Sequence, residues 1–104
     1  MSANLGAFHK KLKADALRAA SIEKAEEYEK LASDWCRNAE MGVNKFKSLT
    51  KAKEAALKAM AIYKKYDNDV KAESVECKIE RWEPKLQQAE LEEKKLFEEA
   101  YDDK

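Results

Sequence analysis

The chain is poor in residues that interrupt a helix. It holds two glycines and one proline in 104 residues. So few breakers leave room for few turns. It has one histidine, His9, followed by Lys10, Lys11 and Lys13, with no cysteine or carboxylate cluster at ligand spacing. A metal needs several converging ligands and a histidine proton shuttle needs a partner, so His9 reads as a surface residue. There is no glycine-rich loop, nucleophile elbow or Ser/His/Asp set. The chain is therefore expected not to be an enzyme, and no cofactor, metal or small-molecule substrate is expected. No run approaches the roughly 20 apolar residues that cross a bilayer. The start, MSANLGAFHKKLKADALRAAS, lacks the apolar core of a secretory signal. Two cysteines, Cys36 and Cys77, stand far apart without C-x-x-C spacing, which reads as reduced thiols in a cytosolic protein. The expected location is cytoplasmic, or peripheral on a membrane.

What remains is mostly Ala, Glu, Lys, Leu and Arg, with 40% charged residues. This is the composition of long helices and coiled coils. Aromatics are 9%, too many for a plain disordered tail. The expected fold is all-α: one helical domain over residues 1–104, an antiparallel hairpin with a short extra N-terminal helix. It would form a three-helix bundle or an extended coiled-coil-like dimer.

Periodicity predicts helices over about 4–20, 22–66 and 70–101. The first carries Leu5, Phe8, Leu12 and Ala16 at helical spacing. Ser21 is placed to cap a second helix, or lies inside a continuous one. The second segment has a stripe at steps of three and four: Ala25, Tyr28, Leu31 with Ala32, Trp35, Ala39, Gly42, Phe46, Leu49, Ala52 with Ala56, Met60 and Tyr63. Gly42 is a weak point or close-packing site within it; alternatively EMGVN is a turn and the segment breaks at 41–44. YDNDV, residues 66–70, is the clearest turn, with Asp67 or Asp69 as the cap of the next helix. The last helix repeats every seven residues: Val75, Trp82, Ala89 and Leu96 on one seam position, Ile79, Leu86, Glu93 and Ala100 on the other. Pro84 lies on neither. Because the seam stays in register across it, a bend in one helix is expected rather than a boundary. With the chain folded back at Asn68, Cys36 would face about residue 100 and Cys77 about residue 59, too far apart for a disulfide.

Net charge is zero, yet residues 1–66 hold 14 Lys/Arg against 8 Asp/Glu, and residues 67–104 hold 7 against 13. Halves of opposite sign favour packing on each other or on a second copy, and give no reason to expect nucleic acid. Between residues 45 and 66 the lysines are opposed only by Glu54. At 100° per residue, Lys47, Lys51, Lys58 and Lys65 fall within about 40° of one another, a stripe about 27 Å long. Such a stripe suits an anionic membrane or an acidic helix. Trp35, Phe46, Leu49, Met60, Ile79, Trp82, Leu86 and Leu96 are the expected packing or interface residues.

Residues 31–100, LASDWCRNAEMGVNKFKSLTKAKEAALKAMAIYKKYDNDVKAESVECKIERWEPKLQQAELEEKKLFEEA, resemble the C-terminal half of a sorting-nexin BAR domain. The likeness rests on an aromatic followed by small apolar residues and lysines, a polar turn, then Ile79 with Trp82–Glu83 and Phe97–Glu98. It implies a dimeric, kinked, long-helix scaffold that binds anionic, curved membranes in trafficking. Pro84 would be the kink and Lys47, Lys51, Lys58 and Lys65 lipid contacts. The alternative reading is a compact three-helix adaptor or chaperone module that binds a partner helix. Either way the chain is expected to form homo- or hetero-oligomers through its helices.

Overall fold

The computed structural model describes the backbone of residues 2–102 and the side chains of residues 9–100. The described residues form three α-helices and no strand: α1 Ser2–Glu40, α2 Lys45–Lys65 and α3 Asp69–Asp102. The side chains of Leu5 and Phe8 lie outside the described residues.

Two expectations about the helices change. Ser21 starts no new helix. It lies within α1, its Oγ 3.2 Å from the Tyr66 hydroxyl. The break comes at 41–44 instead, so a 45-residue second helix does not form and α2 has 21 residues. The reason is local. Gly42 adopts φ +82°, the left-handed conformation that glycine enters without steric cost. The Gly42 N–H then bonds the Ala39 carbonyl and the Val43 N–H reaches back to Asn38, each at 3.0 Å. This pair of bonds closes the helix C-terminus. Gly42 is thus a turn residue, and no atom beyond its own neighbourhood lies within 4 Å of a Cβ built there.

The second turn repeats the device without glycine. Asp67 has φ 57°, the Asp67 N–H bonds Lys64 O at 3.2 Å, and the Asn68 N–H bonds Tyr63 O at 2.8 Å. Asn68, not Asp67 or Asp69, is the residue that caps α3: its Oδ1 accepts the Lys71 N–H at 3.4 Å. Asp69 occupies the first turn, where negative charge meets the positive end of the helix dipole.

α2 is the middle helix, and α1 and α3 both pack along it. Short turns make each neighbouring pair antiparallel, so α1 and α3 run parallel. The core is built largely from alanine: Ala25, Ala32, Ala52, Ala55, Ala56, Ala59 and Ala72 surround Tyr63, Val75, Ile79 and Trp82. Small side chains let the helices approach closely but bury little apolar area each. A second, smaller cluster joins Ala39, Leu49 and Ala89, with Phe46 and Leu86 against it.

α3 continues through Pro84 as one helix. The proline removes the N–H that would bond the Glu80 carbonyl. Glu80, Arg81 and Pro84 are all exposed, so water can serve that carbonyl. The seam of α3 packs from Ala72 to Ala89 and no further: Leu96 is 67% exposed, and Glu93 and Ala100 are exposed as well. Only the first turn of α2, at residues 45–47, comes level with Glu93 and Leu96, and it leaves both exposed. At the other end, residues 9–20 of α1 are exposed throughout. The molecule is therefore a three-helix bundle with a single-helix arm at each end, 81 Å long and 25 by 18 Å across. Its radius of gyration is 20.1 Å, against about 13 Å for a rounded domain of this length.

Candidate functional site

The parallel course of α1 and α3 corrects the expected neighbours of Cys36. It lies not opposite residue 100 but beside Trp82 and Lys85, about level with it on α3. Both thiols are free, Cys36 half-buried and Cys77 exposed. Burial, and then the Glu40 carboxylate, push the Cys36 thiol up from its ordinary value, outweighing Lys85 and the Trp82 side chain. A raised thiol holds little thiolate and makes a poor nucleophile.

Cys36 lines a groove of about 440 Å³ between the last turn of α1, the first turns of α2 and the middle of α3. Its bottom is Ala39, Leu49 and Ala89, all buried. Pro84 forms part of one wall. Its edges carry Glu40, Glu92, Lys45, Lys85 and Gln88. The groove exists because two facing positions on the parallel helices, 39 and 89, are alanine. Larger side chains there would fill the space above Leu49. An apolar trough with both signs of charge at its edge is the shape that receives an amphipathic helix. Pro84 thus has a place beyond the bend expected of it, and seam spacing carries no signal for such a wall position.

The four stripe lysines are all exposed on α2. Three have neighbours. Lys51 pairs with Glu54 at 3.7 Å. Lys58 stands over the Tyr28 ring, 5.6 Å from its centroid, with Lys24 at the same distance. Lys65 stands over Tyr66 at 5.7 Å. Lys53, which lies off the stripe, forms an ion pair with Glu83 across α2 and α3.

Of the eight expected packing residues, Leu49, Ile79 and Trp82 are buried, and Trp35, Phe46, Met60 and Leu86 are half-buried against the two clusters. Leu96 packs on neither. A polar link that spacing did not reveal joins all three helices. The hydroxyl of fully buried Tyr63 on α2 donates to Glu29 Oε2 on α1 at 2.5 Å. Glu29 Oε1 lies 3.9 Å from Lys78 Nζ on α3. Burial, and then the bond to Glu29, push the Tyr63 phenol well above its ordinary range. A tyrosine on the apolar stripe was the available sign, since a buried phenol needs a polar partner.

Among the described residues no three His, Cys, Asp or Glu side chains converge as a metal site, and no helix is long and apolar enough to cross a membrane. Comparison of the chain with known protein families, curated proteins and solved structures finds no match.

Proposed function

We propose that this three-helix bundle is a non-catalytic protein-interaction module that holds an amphipathic helix of a partner in the groove between α1, α2 and α3. The observation that carries this reading is the groove itself: an apolar bottom of Ala39, Leu49 and Ala89 under a mixed-charge edge. The bound helix would present small or aliphatic residues at steps of three and four to that bottom. Its flanks would meet Lys45 and Lys85 with acidic groups, and Glu40 and Glu92 with basic ones.

Amphipathic helical peptides selected from a displayed library against the chain test the reading. Bound peptide is expected to move backbone amide resonances over residues 36–49 and 84–92. Gln88→Trp, at an exposed edge position, is expected to weaken binding at least roughly tenfold by occupying the trough. Perturbations confined to the arms or to the outer face of α2, with Gln88→Trp binding as well as the parent, would sink it.

The lysine face of α2 supports a second reading, attachment to an anionic membrane. Lys47, Lys51, Lys58 and Lys65 are all exposed there, each worth up to about 1 kcal/mol near such a surface. This attachment does not need the long second helix that the BAR resemblance implied. Vesicles containing phosphatidylserine are expected to bind the chain at low salt and release it as salt rises. Retention of binding after all four lysines become glutamate would rule the stripe out.

A further inference from the structure

The two arms project from opposite ends of the bundle, because α1 and α3 run parallel and α2 is shorter than either. Every described residue of the α1 arm, 9–20, is exposed, and so is every residue of the α3 arm over 90–100. Their charges oppose. Residues 9–20 hold Lys10, Lys11, Lys13 and Arg18 against Asp15, four cations and one anion, net +3. Residues 90–100 hold five glutamates against Lys94 and Lys95, net −3.

The opposition is sharpest on the faces that the bundle uses for packing. Ala25, Ala32 and Ala39 of α1 recur at seven-residue steps and are buried. The same steps taken backward reach Arg18 and Lys11, with Lys10 about 80° from Arg18. On α3, Val75, Trp82 and Ala89 are buried, and the next step is Leu96. Glu93 and Glu99 lie about 60° to either side of it. Leu96 is 67% exposed, and Leu17 on the α1 arm is 61% exposed. Helices of this length are marginal in water without tertiary packing. Each arm thus continues a packing face into solvent, one basic and one acidic, in the same chain.

We propose that the basic α1 arm of one copy docks along the acidic α3 arm of a second copy of this chain. A second copy is the occupant that charge favours, since each molecule carries both halves of the contact. Attraction between the arms brings the faces together, and burial of Leu96 and Leu17 adds apolar contact. Of the residues that line the groove only Glu92 lies on the α3 arm, and the charge reversals below leave it unchanged, so the contact is tested apart from helix capture.

Sedimentation of the full chain, with paired charge reversals, tests this. At low salt the mass is expected to rise with concentration to at least twice the 11.9 kDa of one copy. It is expected to fall back in about 1 M salt, where the screening length is about 3 Å. One variant carries Lys10→Glu and Lys11→Glu, the other Glu93→Lys and Glu99→Lys. All four positions are exposed, so each variant should keep the helical circular dichroism of the parent. Each alone is expected to remain at one copy, because its two arms then share a sign. An equimolar mixture is expected to regain the doubled mass, because each variant's altered arm complements the other's. A parent chain that stays at 11.9 kDa at low salt overturns the proposal and leaves the arms to a different protein. So does a variant that associates alone as the parent does, or a mixture that remains monomeric.

Discussion

Replacing Tyr63 by Phe removes one oxygen from the centre of the bundle, and its cost follows from the geometry. The ring is fully buried and stays in place, so packing changes little. What is lost is a 2.5 Å bond donated to a carboxylate. Hydrogen bonds to charged groups contribute about 1.5–3 kcal/mol. The lower part of that range applies. The Glu29 side chain is 18% exposed and its other oxygen keeps Lys78 at 3.9 Å, so water and lysine partly compensate the carboxylate. The expected loss is about 1.5–2 kcal/mol, or roughly 6–16 °C in Tm for a domain of this size. Urea unfolding followed by circular dichroism measures it, with an unchanged slope showing that the unfolding reaction is the same. A double-mutant cycle with Glu29→Gln isolates the pair and is expected to show coupling of about 1 kcal/mol or more. Tyr66→Phe is the control, since its neutral contact with Ser21 is 3.2 Å long and only partly buried. A Tyr63→Phe loss no larger than the control's, or no coupling to Glu29, would refute the assignment of a three-helix polar link.

The same phenol has a pH signature. Its folded-state pKa is raised, so the stability it contributes is full below its unfolded value of about 10 and is lost as pH rises through the folded one. Absorbance of tyrosinate should show one phenol that ionises late, together with unfolding, and Tyr63→Phe should remove that component. At the turns, Gly42→Ala should destabilise by about 1 kcal/mol, since an alanine must hold φ +82° with no clash to add to the cost. Asp67→Gly should stabilise by up to about 1 kcal/mol, since φ 57° suits glycine better than aspartate; equal and opposite denaturation shifts would be the check. A disulfide reagent at mild alkaline pH should modify exposed Cys77 well before Cys36, and Cys77→Ser should abolish the fast phase.

The long helices and the turn at 66–68 were legible because they rest on local chemistry. The seam of α3 was legible from Val75 through Ala89, and Pro84 could be placed inside one helix because the seven-residue register survives it. The division of the first 66 residues was not legible in the same way. Ser21 and residues 41–44 both offered a break. The apolar steps continue through Gly42, because a four-residue turn preserves the spacing of a helical turn. Ala39, Gly42 and Phe46 therefore read as one stripe although the chain reverses between them. Likewise Leu96 has the spacing of a core residue and lies in water. Its spacing depends on α3 alone, whereas its burial depends on the length of α2.

Charge and periodicity thus determined that the chain is all-α, which faces of its helices are apolar, and that its two halves carry opposite charge. Tertiary structure decided what those faces meet. Once Gly42 turned left-handed, α1 and α3 became parallel neighbours, and Cys36 moved from the far end of α3 to the wall of a groove. Stopping α2 after 21 residues left Leu17 and Leu96 exposed on the two arms. Each of these outcomes depends on pairing distant segments. Periodicity encodes only the spacing of residues along one helix, so it could not show them.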